Sequence, residues 1–334
     1  MAADGQNNTN SLYMLLTHKD RRDDLMTVIV WLIMLLYALI SNILIIVGVL
    51  RSAAMRCATS YWFIISLAIC DIVMVFISLI HLIPSTAFHE DFVHVMSTRN
   101  VVMLFFYNFF WYTGVVQLGL MAFNRFVSIV YPMEYKVIFS RQRSCFLLLL
   151  GYFLGFLASL PTLFSCCHLL WDAHSYATIY VQPDTWYKYV DMGVNSISLL
   201  MMLISYAAII HKVRESGRAV KKYQLSIRMK QSGALVVVPP TCPGGFHRTH
   251  SFKATGSQVS KKELRLFIQF FLVSIVFLLT WTTWQWLPRF FQSKGACFAM
   301  TSLFFINNSV NPTVYLIFNT QLRRELYKLF CIRG

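Results

Sequence analysis

The stretch Leu25-Met26-Thr27-Val28-Ile29-Val30-Trp31-Leu32-Ile33-Met34-Leu35-Leu36-Tyr37-Ala38-Leu39-Ile40-Ser41-Asn42-Ile43-Leu44-Ile45-Ile46-Val47-Gly48-Val49-Leu50 holds no charged residue. A helix needs about 20 consecutive apolar residues to cross a bilayer. This run exceeds that, and runs of the same kind recur at 60–83, 101–130, 145–169, 189–211, 264–288 and 297–318. Lipid offers no partner to an open backbone group, so each run must be a helix. Transmembrane barrels show short alternating strands instead. The expected fold is an all-α, seven-transmembrane helix bundle. Apolar residues make up 57% of the chain and charged residues 13%, against about 25% charged in soluble domains.

Orientation follows from Lys and Arg. With the N-terminus outside, the inner loops hold Arg51, Arg56, Lys136, Arg141, Arg143 and twelve more basic residues between Lys212 and Arg265. Arg323, Arg324, Lys328 and Arg333 follow in the inner tail. The outer segments carry fewer, as the positive-inside rule expects. The net charge of +15 thus reads as orientation and contact with anionic membrane lipid or an inner partner, and no nucleic acid is expected. Residues 1–24 are expected to form an extracellular tail in which no signal peptide is visible, and Asn7 is a glycosylation acceptor if this end is outside. The bundle occupies 25–318. It includes a third inner loop, about 215–260, expected to be disordered beyond a basic helical extension at Lys212–Lys230. Residues 319–334 form an amphipathic helix, with Leu322, Leu326 and Leu329 on one face, and a cytoplasmic tail. Cys331 in that tail is either palmitoylated or a bare thiol. Cys166 or Cys167 is expected to be able to bridge to Cys297 on the oxidising side, but connectivity is open on sequence alone.

The polar interruptions of the spans carry the functional signal. Asp71 lies mid-span, where a carboxylate costs roughly 2.5–3.5 kcal/mol on insertion scales. It is either a hydrogen-bonded structural residue or the site of a small cation. Its candidate partners are Asn42 in span one and Asn307, Asn308 and Asn311 in span seven. Asn307 and Asn311 share a helix face, and Pro312 permits a kink. Arg125 ends span three; it either snorkels to the headgroups or pairs with Glu263 at the inner start of span six.

Together these residues resemble the rhodopsin-like G-protein-coupled receptors. Asn42, the run Leu67-Ala68-x-x-Asp71, Asn124-Arg125-Phe126, Phe277-x-x-x-Trp281 and Asn311-Pro312-Thr313-Val314-Tyr315 are similar to that family's motifs in order and depth. A narrower likeness is to nematode serpentine chemoreceptors of class x, carried by Asn124 to Pro132, Ile138-Phe139-Ser140 and Lys261 to Gln269. The resemblance implies a chemoreceptor in signal transduction: a multi-pass protein of the plasma membrane, and of the sensory cilium in the narrower group. Its implied partners are a heterotrimeric G protein and a small-molecule ligand. Departures mark a divergent branch. Asn124 replaces the acid beside the Arg. Thr283 replaces the span-six Pro. Asn100 stands where the family's outer Cys is expected, so the usual disulfide to the second outer loop is absent. Tyr107 replaces the acid of amine receptors, which argues against a biogenic amine, and Phe305 replaces the retinal Lys of opsins.

The expected ligand site is aromatic: Tyr107, Phe110 and Trp111 on span three, Trp281, Trp284 and Gln285 on span six, and Phe304 on span seven. Several of these rings would serve equally as packing between helices. No deep Lys, Arg, Asp or Glu is expected to line this outer half, which implies a small, neutral, mostly apolar ligand. Ligand binding is expected to shift the population toward an open state. In it Arg125 leaves Glu263, and Tyr206 and Tyr315 take its place. A neuropeptide receptor is the nearest alternative. A transporter or channel is disfavoured because only Asp71 is deep. An enzyme is not expected, because no nucleophile with a base and no metal-ligand spacing is evident; neither is a resident cofactor, beyond a small cation near Asp71.

Overall fold

The computed structural model describes the backbone of residues 2–233, 261–290 and 293–331, and the side chains of nearly all of 21–218 and 268–329. Seven long helices form the bundle. They are α1 (Ala2–Arg51), α2 (Thr59–Phe88), α3 (Thr98–Val130), α4 (Arg141–Ser159), α5 (Tyr187–Gly233), α6 (Lys261–Phe290) and α7 (Lys294–Phe318). An eighth, α8 (Thr320–Cys331), follows. The central helix is α3, packed against α2, α4 and α5. Tyr107, Trp111, Tyr112, Leu118, Met121 and Arg125 on it are all buried. Large apolar side chains such as Phe153, Leu154 and Ile197 face outward, as they must where the surrounding medium is hydrocarbon. At Gly155 a side chain would run into Thr113, so the missing Cβ lets α4 close on α3.

Two local breaks come from proline. Pro84 has no N–H to give its helix, and α2 widens into a π turn at Ser78–Leu82 just before it. The turn carries His81, fully buried, toward α3. Pro161 stands in the 3-10 turn Leu160–Leu163 that ends α4. Span four therefore stops short of the expected 169: Leu169–Asp172 is instead strand β1, paired antiparallel with β2 (Ala177–Tyr180). This hairpin lies across the outer mouth of the bundle. The Trp171 ring of β1 meets Trp31 of α1 edge-on at 6.1 Å.

Asn100 holds the hairpin down. It is 1% exposed. Its Nδ2 donates to the carbonyls of Trp171, at 3.0 Å, and Val95, at 2.8 Å, and its Oδ1 lies 3.0 Å from His81 Nε2. The position that lacks the expected Cys thus ties α3 to the same loop through hydrogen bonds. The Cys297 bridge does not form: Cys166 and Cys167 pair with each other and Cys297 is free. Adjacent residues are already within reach, whereas Cys297 begins a different helix.

At the inner end, α5 stays helical to Gly233, so the stretch 215–233 is helix, as its basic pattern suggested, rather than disordered loop. Residues 234–260 and the side chains of Asn7, Glu263 and Cys331 lie outside the described residues. Leu322 and Leu326 of α8 are buried, against the groove that Gly48 leaves open on α1. Replacing Asn100 with Ala should cost about 2–3 kcal/mol, since it removes buried hydrogen bonds and strands their partners. The loss would be read as a lower unfolding temperature of the detergent-solubilised protein.

Candidate functional site

A cavity of about 650 Å³, its mouth included, opens among α3, α5, α6 and α7 beneath the hairpin. Five of the expected ligand residues line it: Tyr107, Trp111, Trp281, Trp284 and Phe304. Their rings interlock, with Trp111 4.9 Å from Phe304 and Trp284 5.6 Å from Phe304, edge to face. Phe110 and Gln285 do not line it. On α3 the cavity face is Tyr107, Asn108, Trp111 and Tyr112, and Phe110 lies off it, against Phe109 at 4.7 Å. Gln285 is half-buried one residue beyond Trp284, turned off the lining face.

The larger correction concerns charge. Asp191 of α5 lines the cavity and is 7% exposed. It accepts hydrogen bonds from Tyr112 Oη at 2.9 Å, Asn195 Nδ2 at 3.0 Å and Tyr180 Oη at 3.3 Å. The outer half therefore does contain an acid, and an expected neutral ligand loses its main support. Asp191 stands at the outer start of its span, where an acid reads as an interfacial residue; only the hairpin folding over it through Tyr180 makes it part of the cavity. Leu169, Trp171 and Thr178 complete that roof, and a loop gives no helical periodicity that would flag them.

A polar cluster joins the roof to the helices. Asp24, 6% exposed on α1, accepts from the Tyr176 hydroxyl, from Lys294 Nζ at 2.9 Å and contacts His89 Nε2 at 2.7 Å. Thr301 donates to the Tyr176 carbonyl at 2.7 Å. Burial works against the Lys294 ammonium, but its hydrogen bonds to Asp24 and Tyr176 outweigh that and hold its pKa above the ordinary lysine value. The sign follows: a raised lysine pKa contributes stability that is fully present below the unfolded value and is lost only as pH rises through the folded one.

Below the cavity, Asn311 Nδ2 donates to Asp71 Oδ2 at 3.2 Å, with Asp71 1% exposed. Asn42 does not reach Asp71. Its Nδ2 donates to the carbonyls of Ala38 and Asn308, both at 2.9 Å. The Asn308 carbonyl is the one that Pro312, lacking N–H, cannot engage. Asn307 is buried nearby in α7. Asn42 Oδ1 and Asn311 Oδ1 are buried without a protein partner, so this level of the bundle holds spare oxygen acceptors besides the Asp71 carboxylate.

At the inner end, Arg125 is 7% exposed, so it is not snorkelling. It lies close enough to Tyr206 and Tyr315 to act on both electrostatically. Tyr206 Oη accepts from Ser274 of α6 at 3.1 Å. Asn124 faces away from Arg125. Its Oδ1 accepts from Ser60 of α2 at 3.1 Å, and its Nδ2 lies 3.4 Å from Tyr135 Oη in the second inner loop.

Residues 41–315 match the description of the 7 transmembrane receptor (rhodopsin family). The chain belongs to that family. Its members are receptors rather than enzymes, and the chain has the family's multi-pass helical fold. It is 25% identical to cannabinoid receptor 1 of Xenopus laevis over 88% of its own length and 60% of the relative's. It is also 20% identical to the alpha-1A adrenergic receptor of Oryzias latipes over 90% of its length and 66% of the relative's. An olfactory receptor of Mus musculus, 10D1B, is 30% identical over 40% of this chain and 39% of the relative's. The chain spans about 60% of the length of the curated cannabinoid receptors it matches. Squid rhodopsin has the same fold, with a TM-score of 0.71 at 15% identity over 93% of this chain and 86% of the other.

Asp24 is the common anchor of α1, α7 and the hairpin. Replacing it with Ala should speed hydrogen exchange across 169–180 while leaving the amides of α8 unchanged, measured by mass spectrometry on the solubilised receptor.

Proposed function

We propose that the receptor is chemosensory: a serpentine chemoreceptor that takes a small, largely apolar molecule into the cavity beneath the hairpin and transmits its binding to a heterotrimeric G protein. The observation that carries this reading is the stacking of three features along one axis. The aromatic cavity lies on top, the Asp71–Asn311 pair and Pro312 lie in the middle, and the buried Arg125 with Tyr206 and Tyr315 lies at the bottom. Trp111 and Trp281 wall the cavity on α3 and α6, the two helices whose inner ends part when Arg125 leaves Glu263. A ligand that fits the cavity better in the open state favours that state by its differential affinity alone. Such sites occur between the helices of bundles and combine apolar walls with a few polar groups.

In this mechanism Glu263 restrains Arg125 in the closed state, and Tyr206 and Tyr315 receive it in the open one. The proximity of Arg125 to both tyrosines supports the second half. Asp71, with the spare oxygen of its partner Asn311, would hold a small cation in the closed state and release it on opening. The plasma membrane is the proposed location, and the sensory cilium follows from the likeness to nematode chemoreceptors. A neuropeptide would need a wide outer entrance, and the hairpin seated over the mouth by Asn100 favours the small ligand.

The test uses second-messenger output from cells expressing the full chain, screened with odorants and small metabolites. Glu263→Ala should raise basal output; an unchanged basal level counts against the pair. Arg125→Ala should abolish agonist-driven output at normal surface expression, and retained coupling would sink the mechanism. Asp71→Asn should remove the dependence of agonist potency on sodium concentration, measured as a dose-response shift between sodium and a bulky organic cation.

A further inference from the structure

We propose that Asp191 is the anchor for a protonated amine, so that the ligand of the outer cavity is a small organic cation on a largely apolar body. This rests on the reading of that cavity as the ligand site.

The argument begins with what Asp191 lacks. Its carboxylate is buried, and its hydrogen-bond donors are neutral: two phenols, one amide and the Trp284 indole. No salt bridge reaches it among the described residues. Lys188, less than one helical turn away, directs its ammonium to the Pro183 carbonyl and over the Tyr180 ring instead. The neutral donors offset only part of the cost of burying this carboxylate, and a buried charge without a counter-charge is costly unless something else supplies one. A cationic ligand does.

A second observation is independent of the carboxylate. Asn195 lies one turn along α5, is 1% exposed, lines the same cavity, and keeps its Oδ1 without a partner. Its amide group is committed to Asp191, so the remaining oxygen is a spare acceptor beside the acid. An ammonium has several N–H donors and no acceptor, which matches a carboxylate next to a spare carbonyl oxygen. A hydroxyl matches only one of them.

The walls agree. Trp111, Trp171, Trp281 and Trp284 present indole surface to the cavity, and a cation is attracted to such faces more than a neutral group of the same size. Trp281 Nε1 and Asn108 Nδ2 are buried donors without partners in the same lining. The ligand body that fits them carries an acceptor, such as an ether or carbonyl oxygen, away from the amine. Tyr107 denies the amine an acid on α3, and α5 provides one in its place. Because Tyr180 of β2 shares Asp191, the hairpin is in direct contact with the group that senses the charge.

The experiment uses the full chain purified in detergent and follows thermal stabilisation. The probes are 2-phenylethylamine, tryptamine and cyclohexylmethylamine, each with the alcohol and the carboxylate of matching shape. At least one amine should stabilise the protein, at an apparent affinity about tenfold or more above its alcohol. Asp191→Asn should lower the amine's affinity about tenfold or more, and Asp191→Glu should preserve the amine-over-alcohol order. If Asp191→Asn does not fold, the comparison of amine with alcohol on the unaltered chain decides. The proposal is overturned if no amine stabilises the protein, if alcohols or carboxylates equal the amines, or if Asp191→Asn leaves the amine affinity unchanged. Trp111→Ala separates the two readings. Alcohol binding that Trp111→Ala abolishes keeps the cavity as ligand site and removes only the charge. Amine binding that survives both variants places the ligand elsewhere and removes both.

Discussion

The carbonyl of Asn308 is the point on which the bundle turns. Pro312 leaves it without its helical donor, and hydrocarbon supplies no substitute. Asn42 fills the vacancy from α1 at 2.9 Å. One proline therefore makes α7 deformable while one asparagine keeps it bound to the rest of the protein. The nearby Asp71–Asn311 bond and the spare acceptors of Asn42 and Asn311 belong to the same level of the bundle. Polar groups are gathered here, where a helix that lacks one backbone hydrogen bond needs partners for its open carbonyl.

The outer and inner ends solve different problems around this middle. Outside, a loop must cap an aromatic cavity without the family's disulfide. Asn100, His81 and the Asp24 cluster do so with buried hydrogen bonds and an ion pair. Such a roof holds at neutral pH, because Lys294 keeps its proton, and it is weaker than a covalent one. Inside, Arg125 is buried among tyrosines, while Asn124 has become a strut between α2 and the second inner loop. The divergence from the family motif is thus a reassignment of contacts rather than a loss of them.

Much of this was legible in the residues. Asp71, Asn42, Asn311, Pro312 and Arg125 stand out because a polar or helix-breaking residue in an apolar run is costly in lipid unless it finds a partner. Tyr107 and Trp111 are one turn apart and face the cavity together. Phe110 and Gln285 show the limit: an aromatic or polar residue beside a lining residue looks equally eligible, and only the rotation of the helix separates them. Asp191 shows it more sharply. An acid at the start of a span reads as an interfacial residue until the hairpin folds over it.

By itself the sequence determined the seven-helix architecture and the family, because desolvating backbone and charge in a bilayer leaves few alternatives, and those rules are local to each segment. The tertiary structure alone decided which buried groups meet: Asn42 with the Asn308 carbonyl, Asn100 with Trp171, Cys166 with Cys167, and Asp191 with Tyr112 and Tyr180. Those pairings depend on helix rotation, on the π turn before Pro84 and on where the 169–180 hairpin comes to rest. Each joins residues far apart in the chain or turned by the geometry of a loop, and neither hydropathy nor spacing carries that information.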